Sequence, residues 1–269
     1  MFQPPEGSLR VFDFTDAIVR TPGRSVVDGL RDDPNQTPSF DGVLGEHRAY
    51  VAALRETGMS VDVLPPLEAF PDSVFVEDPA LVIPEGAILL RPGAPSRLAE
   101  RDELRGTLAR HFERVLELGD GEFADGGDVL IAPNTIFIGM SKRTNRAGAE
   151  ALRAKLAELG RDARIVKTPP GILHFKTASS LLDEDTILTT ETMAASGIFA
   201  GFDVLLTREG EEAAANALRV NDIVFVGAHY PETVEKLIKH GFSVHPLAIS
   251  EVAKLDAGLS CMSLRWTKL

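Results

Sequence analysis

The stretch Asp128-Val-Leu-Ile-Ala-Pro-Asn-Thr-Ile-Phe-Ile-Gly139 sets the architecture. Two apolar runs, Asp128 to Ala132 and Thr135 to Gly139, flank the turn pair Pro133-Asn134, a pattern that predicts a β-hairpin. Beyond it, Asn145 is an N-cap candidate for a helix carrying Leu152, Leu156 and Leu159 and closed by Gly160. Arg164-Ile-Val then reads as another strand. The order is strand, strand, helix, strand.

The same rhythm runs outward in both directions. Upstream, Leu9 to Val19 reads as a strand, Thr21 to Gly42 as a long loop of the kind that forms lids, and Glu46 to Glu56 as a helix stopped by Gly58. Ser60 to Leu64 is a strand, Val74-Phe-Val and Ala80 to Ile83 are short strands around Glu77-Asp78, and Ala87 to Leu90 follows. Arg97 to Phe112 reads as one helix with Leu104, Leu108 and Phe112 on a face, and Arg114 to Leu118 as a strand. Downstream, Thr186 to Thr189, Asp222 to Val226, Phe242 to Leu247 and Met262 to Trp266 are strands. A helix starts at Pro231, with Glu232 and Glu235 early, Lys239 and His240 late, and Gly241 beyond its end, the order that the helix dipole favours. Adjacent strand pairs distinguish this from a doubly wound sheet, which alternates single strands and helices. No linker divides the chain, so one α/β domain over residues 1–269 is expected.

The 40 acids against 28 Lys and Arg give a net charge of −12. Nucleic-acid binding would want a basic face instead, whereas a negative field can draw in a small cation. No apolar run approaches the roughly 20 residues of a membrane span, and Met1-Phe-Gln-Pro-Pro-Glu does not resemble a signal peptide. One cysteine cannot form an intrachain disulfide, which fits a reducing cytoplasm.

That cysteine, Cys261, has the small neighbours Gly258, Ser260 and Ser263. A lone cysteine is often a buried hydrophobe, but a cysteine with a histidine far away in sequence is also the pattern of a thiol nucleophile. Among six histidines, His47, His111 and His240 fall on helices among charges and are expected to face solvent. His174 differs, because the apolar, turn-rich Gly171-Ile-Leu-His-Phe-Lys-Thr-Ala178 surrounds it; a histidine satisfied in a core is the competing reading. Glu77-Asp78, between apolar runs, should meet a cation, because burying an unpaired carboxylate is costly; Arg91 or Arg97 could supply an ordinary ion pair. Asp120-Gly-Glu-Phe-Ala-Asp-Gly-Gly-Asp128 has too many carboxylates for a phosphate cradle and lacks the pattern of a calcium loop. It reads as a tight turn delivering Asp125 to a pocket. No Cys or His pair has zinc spacing, and no metal or cofactor is expected.

Six segments in order, Asp72-Ser-Val-Phe-Val-Glu-Asp78, Arg91-Pro-Gly-Ala-Pro-Ser-Arg97, Asp125-Gly-Gly-Asp128, Gly139-Met-Ser-Lys-Arg-Thr-Asn145, Leu173-His-Phe-Lys176 and Leu255-Asp-Ala-Gly-Leu-Ser-Cys261, resemble the dimethylarginine dimethylaminohydrolases of the guanidino-modifying (pentein) superfamily. The resemblance runs nearly the whole chain. It implies a five-bladed α/β propeller of pseudo-repeated ββαβ units around a central active site. It also implies hydrolysis of Nω-methylated arginines, asymmetric dimethylarginine and monomethylarginine, to citrulline and a methylamine through a covalent thiouronium. By the same resemblance Cys261 is the nucleophile and His174 the general acid/base. Asp78 and Asp125 grip the guanidinium, Glu77 and Asp72 line the pocket, Arg97 and Arg143 clamp the carboxylate, and the Leu30 and Leu255 carbonyls take the amino group. The partner is a small guanidino amino acid, and a homodimer is left open. The chain departs from the family at Phe175, where Leu is usual. The Thr21–Gly42 loop matches only at Val19-Arg20 and Leu30-Arg31.

Four readings compete on the same scaffold or ligand. A deiminase of arginine would release ammonia, a related hydrolase would act on another guanidino or ureido compound, an amidinotransferase would pass the amidine to an amine, and a catalytically dead relative would only bind arginine-like ligands. The intact Cys261, His174, Asp78 and Asp125 speak against the last.

Overall fold

A computed structural model describes residues 9–268. In chain order its strands and helices are β1 (Asp16–Arg20), α1 (Phe40–Glu56), β2 (Ser60–Leu64), β3 (Ala80–Ile83), β4 (Gly86–Leu89), α2 (Asp102–His111) and β5 (Val115–Glu117). Next come β6 (Val129–Ala132), β7 (Thr135–Met140), α3 (Arg146–Glu158), β8 (Ala163–Lys167), β9 (Ser179–Leu181), β10 (Thr186–Thr189), α4 (Glu191–Ala194) and β11 (Asp203–Leu206). The chain finishes with β12 (Leu218–Val220), β13 (Ile223–Gly227), α5 (Pro231–Lys239), β14 (Ser243–Leu247), α6 (Ser250–Ala253) and β15 (Leu264–Trp266).

These strands form five three-stranded sheets, each with an antiparallel pair and a third strand parallel to the middle one. A parallel neighbour needs a crossover connection, and α1, α2, α3, α4 and α5 each supply one, between the middle and third strands. The predicted hairpin is the antiparallel β6–β7 pair, with Ala132 opposite Thr135. In the first sheet β15 pairs with β1, Asp16 opposite Trp266, so the ring is closed by hydrogen bonds between the two ends of the fold. The inner strands β3, β6, β9, β12 and β15 all line one axial cavity of about 110 Å³. This is a five-bladed α/β propeller of ββαβ units.

Burial follows from that geometry. The middle strand β4 is wholly buried, whereas the outer strands β2, β8 and β14 are partly exposed. The crossover helices cover the blades: Leu152 and Leu156 of α3 pack in one cluster with Ile136 and Ile138 of β7 and Ile88 of β4. At roughly 25 cal/mol per Å² of apolar surface, each such side chain contributes about 1.5–3 kcal/mol.

Several expectations are corrected. The first strand covers only Asp16–Arg20, because the Asp13 carboxylate accepts the Arg10 backbone N–H and turns the preceding residues. Val74-Phe-Val is apolar and buried yet forms turns, with Ser73 N donating to Phe70 O and Phe75 N to Asp72 O. Helix α1 begins at Phe40 because the Ser39 hydroxyl caps Gly42 N. Arg97 to Phe112 is not one helix: a 3-10 segment, Pro95–Arg101, precedes α2. His47 is not solvent-facing but 2% exposed in the core, where burial drives its pKa down to about 4.

Candidate active site

The residues just ahead of the inner strands converge at one end of the axis. Asp78 precedes β3, Asp125 and Asp128 precede β6, His174 precedes β9, Asn216 precedes β12 and Cys261 precedes β15. The chain enters every blade from the same end, so five short connections distant in sequence meet around one point. Adjacent residues there face opposite ways. Glu77 and Ser260 line the axial cavity, whereas Asp78 and Cys261 line a second cavity of about 180 Å³ together with His174, Asp72, Arg97 and Arg143.

Cys261 lies in a 3-10 turn, its N–H donating to Gly258 O and its own carbonyl accepting from Glu77 N. Asn216 Oδ1 accepts from Ser260 N at 3.1 Å, and a Cβ on Gly258 would lie 2.5 Å from the Asn216 Cγ, so glycine is required where the loop crosses this side chain. Burial first, then the negative charges of Glu77 and Asp78, push the thiol pKa up to about 12. The resting sulfur is therefore protonated.

His174 Nε2 meets Asp125 Oδ2 at 2.9 Å. Burial would lower the imidazole pKa, but it is outweighed by the charge of Asp78, the hydrogen bond to Asp125 and the charge of Asp128, which lift it to about 9. At neutral pH this is an imidazolium. The ring packs on the backbone of Gly127, where an added Cβ would come within 2.9 Å of His174 Cγ. Asp78 Oδ1 accepts from Gly127 N at 3.0 Å and its other oxygen accepts from Arg97 Nη1. Burial opposes ionisation of Asp78, yet Arg97, His174 and the Gly127 N–H together hold its pKa below the ordinary carboxylate value.

Two expected contacts are corrected, and a third residue, Arg97, is found already engaged. Asp125 does not line the cavity: it is fully buried, with one oxygen against His174 and the other accepting from Gly93 N at 2.7 Å. Glu77 does not line the site cavity. It is ion-paired with Lys176 at 2.6 Å and Arg265 at 3.3 Å, and it accepts from the Ser260 hydroxyl at 3.0 Å. Arg97 lines the cavity but is committed beneath it, to Asp78, to Glu100 at 2.8 Å and to Phe75 O at 2.8 Å.

The remaining expected residues lie at the cavity wall. Asp72 Oδ1 accepts from Leu30 N at 2.9 Å, which pins the early loop over the site. Burial raises the Asp72 pKa. Among the described residues, the Arg143 side chain makes no ion pair or hydrogen bond, and the Leu30 and Leu255 carbonyls accept none. A second latch went unread in the sequence: Asp256, with φ of 53°, accepts Asp32 N at 2.6 Å. Asp78, Asp125 and His174 cluster closely enough to hold a metal ion, but hydrogen bonds to Arg97, Gly127, Gly93 and one another already engage them.

A family model described as N,N dimethylarginine dimethylhydrolase, eukaryotic, matches residues 32–163. The N(G),N(G)-dimethylarginine dimethylaminohydrolase of Streptomyces coelicolor is 33% identical over 94% of this chain and 97% of its own. The N-terminal domain of ArgZ, a cyanobacterial arginine dihydrolase, shares the fold at a TM-score of 0.84 with 20% identity. A crystal structure of the Pseudomonas aeruginosa dimethylarginine dimethylaminohydrolase, a cysteine-to-serine mutant with citrulline, superposes at a TM-score of 0.91 and covers 94% of this chain and 100% of that one. The Pseudomonas enzyme is 38% identical over 257 residues, and likeness of that extent in both sequence and backbone means that the chain belongs to the dimethylarginine dimethylaminohydrolase family.

Proposed function

We propose that the protein hydrolyses Nω-methylated arginines, asymmetric dimethylarginine and monomethylarginine, to citrulline and a methylamine by covalent cysteine catalysis. The observation that carries this reading is that Cys261, its thiol pushed up to about 12, and His174, its imidazole raised to about 9, line one cavity together with Asp78. That pair suits a cationic substrate. A guanidinium seated against Asp78 offsets the negative field that raises the thiol pKa, so the thiol loses its proton to solvent as substrate binds. The thiolate attacks the central guanidino carbon. His174, already charged, gives its proton to the departing methylamine. The neutral imidazole then takes a proton from water, the hydroxide adds to the thiouronium carbon, and the C–S bond breaks as the new hydroxyl gives its proton to solvent, releasing citrulline and returning the thiolate.

The amino-acid end fits the cavity wall: Arg143 for the carboxylate, and Asp72 with the Leu30 and Leu255 carbonyls for the ammonium. Asp125 serves as the orienting partner of His174. The lone unpaired cysteine, which this chemistry needs reduced, supports a cytoplasmic address. Among the described residues no helix is long and apolar enough to cross a membrane.

The test is incubation with asymmetric dimethylarginine, monomethylarginine and arginine in parallel, following citrulline by mass spectrometry. Citrulline from the methylated substrates and little from arginine is expected; turnover of arginine alone would make the protein a deiminase.

A further inference from the structure

Asp128 is a buried acid that the proposed chemistry does not use. It is 0% exposed, and both of its oxygens are engaged. Oδ1 accepts the N–H of Phe175, the residue after His174, at 2.9 Å. Oδ2 accepts the Ser141 hydroxyl at 2.6 Å and the Thr144 hydroxyl at 2.7 Å. Those hydroxyls accept in turn. Ser141 Oγ takes the backbone N–H of Arg143 at 2.9 Å and of Thr144 at 3.2 Å, and Thr144 Oγ1 takes the N–H of Asp125 at 3.1 Å.

We propose that Asp128 is the positioning residue that holds His174 and Arg143 in one frame, so that seating the substrate carboxylate and placing the acid over its guanidine end are a single geometric event. This rests on the proposed hydrolysis for its kinetic consequence, though not for its structural one. The carboxylate is required by its hydrogen-bond logic. Ser141 Oγ already receives two N–H groups, so its only remaining function is to donate, and Asp128 must be an acceptor toward it. Asparagine has the same shape and could still accept from Phe175 with its carbonyl oxygen. Its amide would then point an N–H donor at the Ser141 hydroxyl, which has no free lone pair to accept it, and the turn carrying Arg143 would be pushed away. Misplacement by about 1 Å can cost roughly 100-fold in rate.

The experiment combines kinetics and amide hydrogen exchange on wild type, Asp128→Asn, Arg143→Ala and the double variant, with asymmetric dimethylarginine as substrate. Asp128→Asn is expected to raise KM and lower kcat together, by roughly 100-fold in kcat/KM, and to speed exchange at residues 141–144. In the Arg143→Ala background the KM component should vanish and the kcat component remain. Equal losses in both backgrounds, or unchanged exchange at residues 141–144, would overturn the proposal. If wild type turns over none of this substrate, the hydrolase reading fails by itself and the exchange arm still decides the role of Asp128. Should Asp128→Asn not fold, Ser141→Ala cuts the link from Asp128 Oδ2 to the Arg143 and Thr144 N–H groups and must raise KM if the frame is real; an unchanged KM would count against it.

Discussion

Replacing Asp125 by asparagine keeps the shape of the side chain and removes its charge. Gly93 N–H fixes which oxygen stays an acceptor, so the new amide must turn its N–H toward His174 Nε2. The imidazole then accepts at Nε2, carries its proton on the other nitrogen and has no charge to give. On the proposed mechanism kcat should drop by about 10³–10⁴ with KM little changed, as when a catalytic histidine is held in the wrong tautomer. Steady-state kinetics check this, and a kcat within tenfold of wild type would remove Asp125 from the acid's support. Cys261→Ser should abolish turnover while leaving the thermal transition in place; wild-type rates from that variant would exclude the sulfur as nucleophile. At this scale the sequence was legible for residue type and not for direction. Asp125 reads as an acid delivered to a pocket, but its partner His174 is 49 positions away, and no local pattern says whether a carboxylate faces the ligand or the histidine behind it.

Helix α6 makes the same point one level up. Its four residues cannot sustain a helix alone, and its free N–H groups are satisfied from across the fold. Glu46 of α1, buried and 205 residues away in sequence from Glu251, accepts from Glu251 N at 2.9 Å, Val252 N at 2.9 Å and the Ser250 hydroxyl at 3.1 Å. Glu46→Ala would leave these donors, Val252 N among them buried, without their acceptor and cost about 1–3 kcal/mol, read as a shift in denaturant midpoint with unchanged slope. A loss below about 0.5 kcal/mol, the scale of an ordinary surface change, would mean that α6 is held by packing instead. Because α6 leads into Leu255 and Cys261, a real loss should also raise KM. Elements that signal themselves are those whose signals are local, such as the β6–β7 hairpin, the Asn145 cap of α3 and the Pro231 start of α5. The strands β9 and β12 have three residues each and only form against a neighbour. Val74-Phe-Val misleads for the opposite reason. Its apolar residues are buried as a strand's would be, but its Phe75 carbonyl accepts from Arg97 instead of joining a ladder.

At the scale of the whole molecule, the propeller concentrates charge where the blade entries meet, and that concentration should govern stability against pH. His174 is raised from its ordinary 6.5 to about 9, so its stabilisation is fully present below 6.5 and lost as pH rises through 9. Cys261, raised to about 12, costs stability above pH 9. Asp128, raised to about 6 chiefly by burial, costs stability that builds up between about pH 4 and 6 and remains in full above 6. Asp78 has the opposite sign: held low by Arg97, it stabilises above the ordinary carboxylate pKa and loses that contribution as pH falls through its folded value. The net expectation is a protein most stable on the mildly acidic side, with a decline between pH 6.5 and 9 that belongs to one side chain. The His174 contribution is on the order of 3 kcal/mol, or roughly 6–12 °C in thermal midpoint for a domain of this size. Melting curves of wild type and His174→Asn across that window test it. The variant is expected to melt lower overall, since Asp125 loses its partner, but with a flatter dependence on pH. Equal slopes in the two proteins would mean that His174 carries no charge in the folded site, and would also take away the proton that the proposed mechanism gives to the leaving amine.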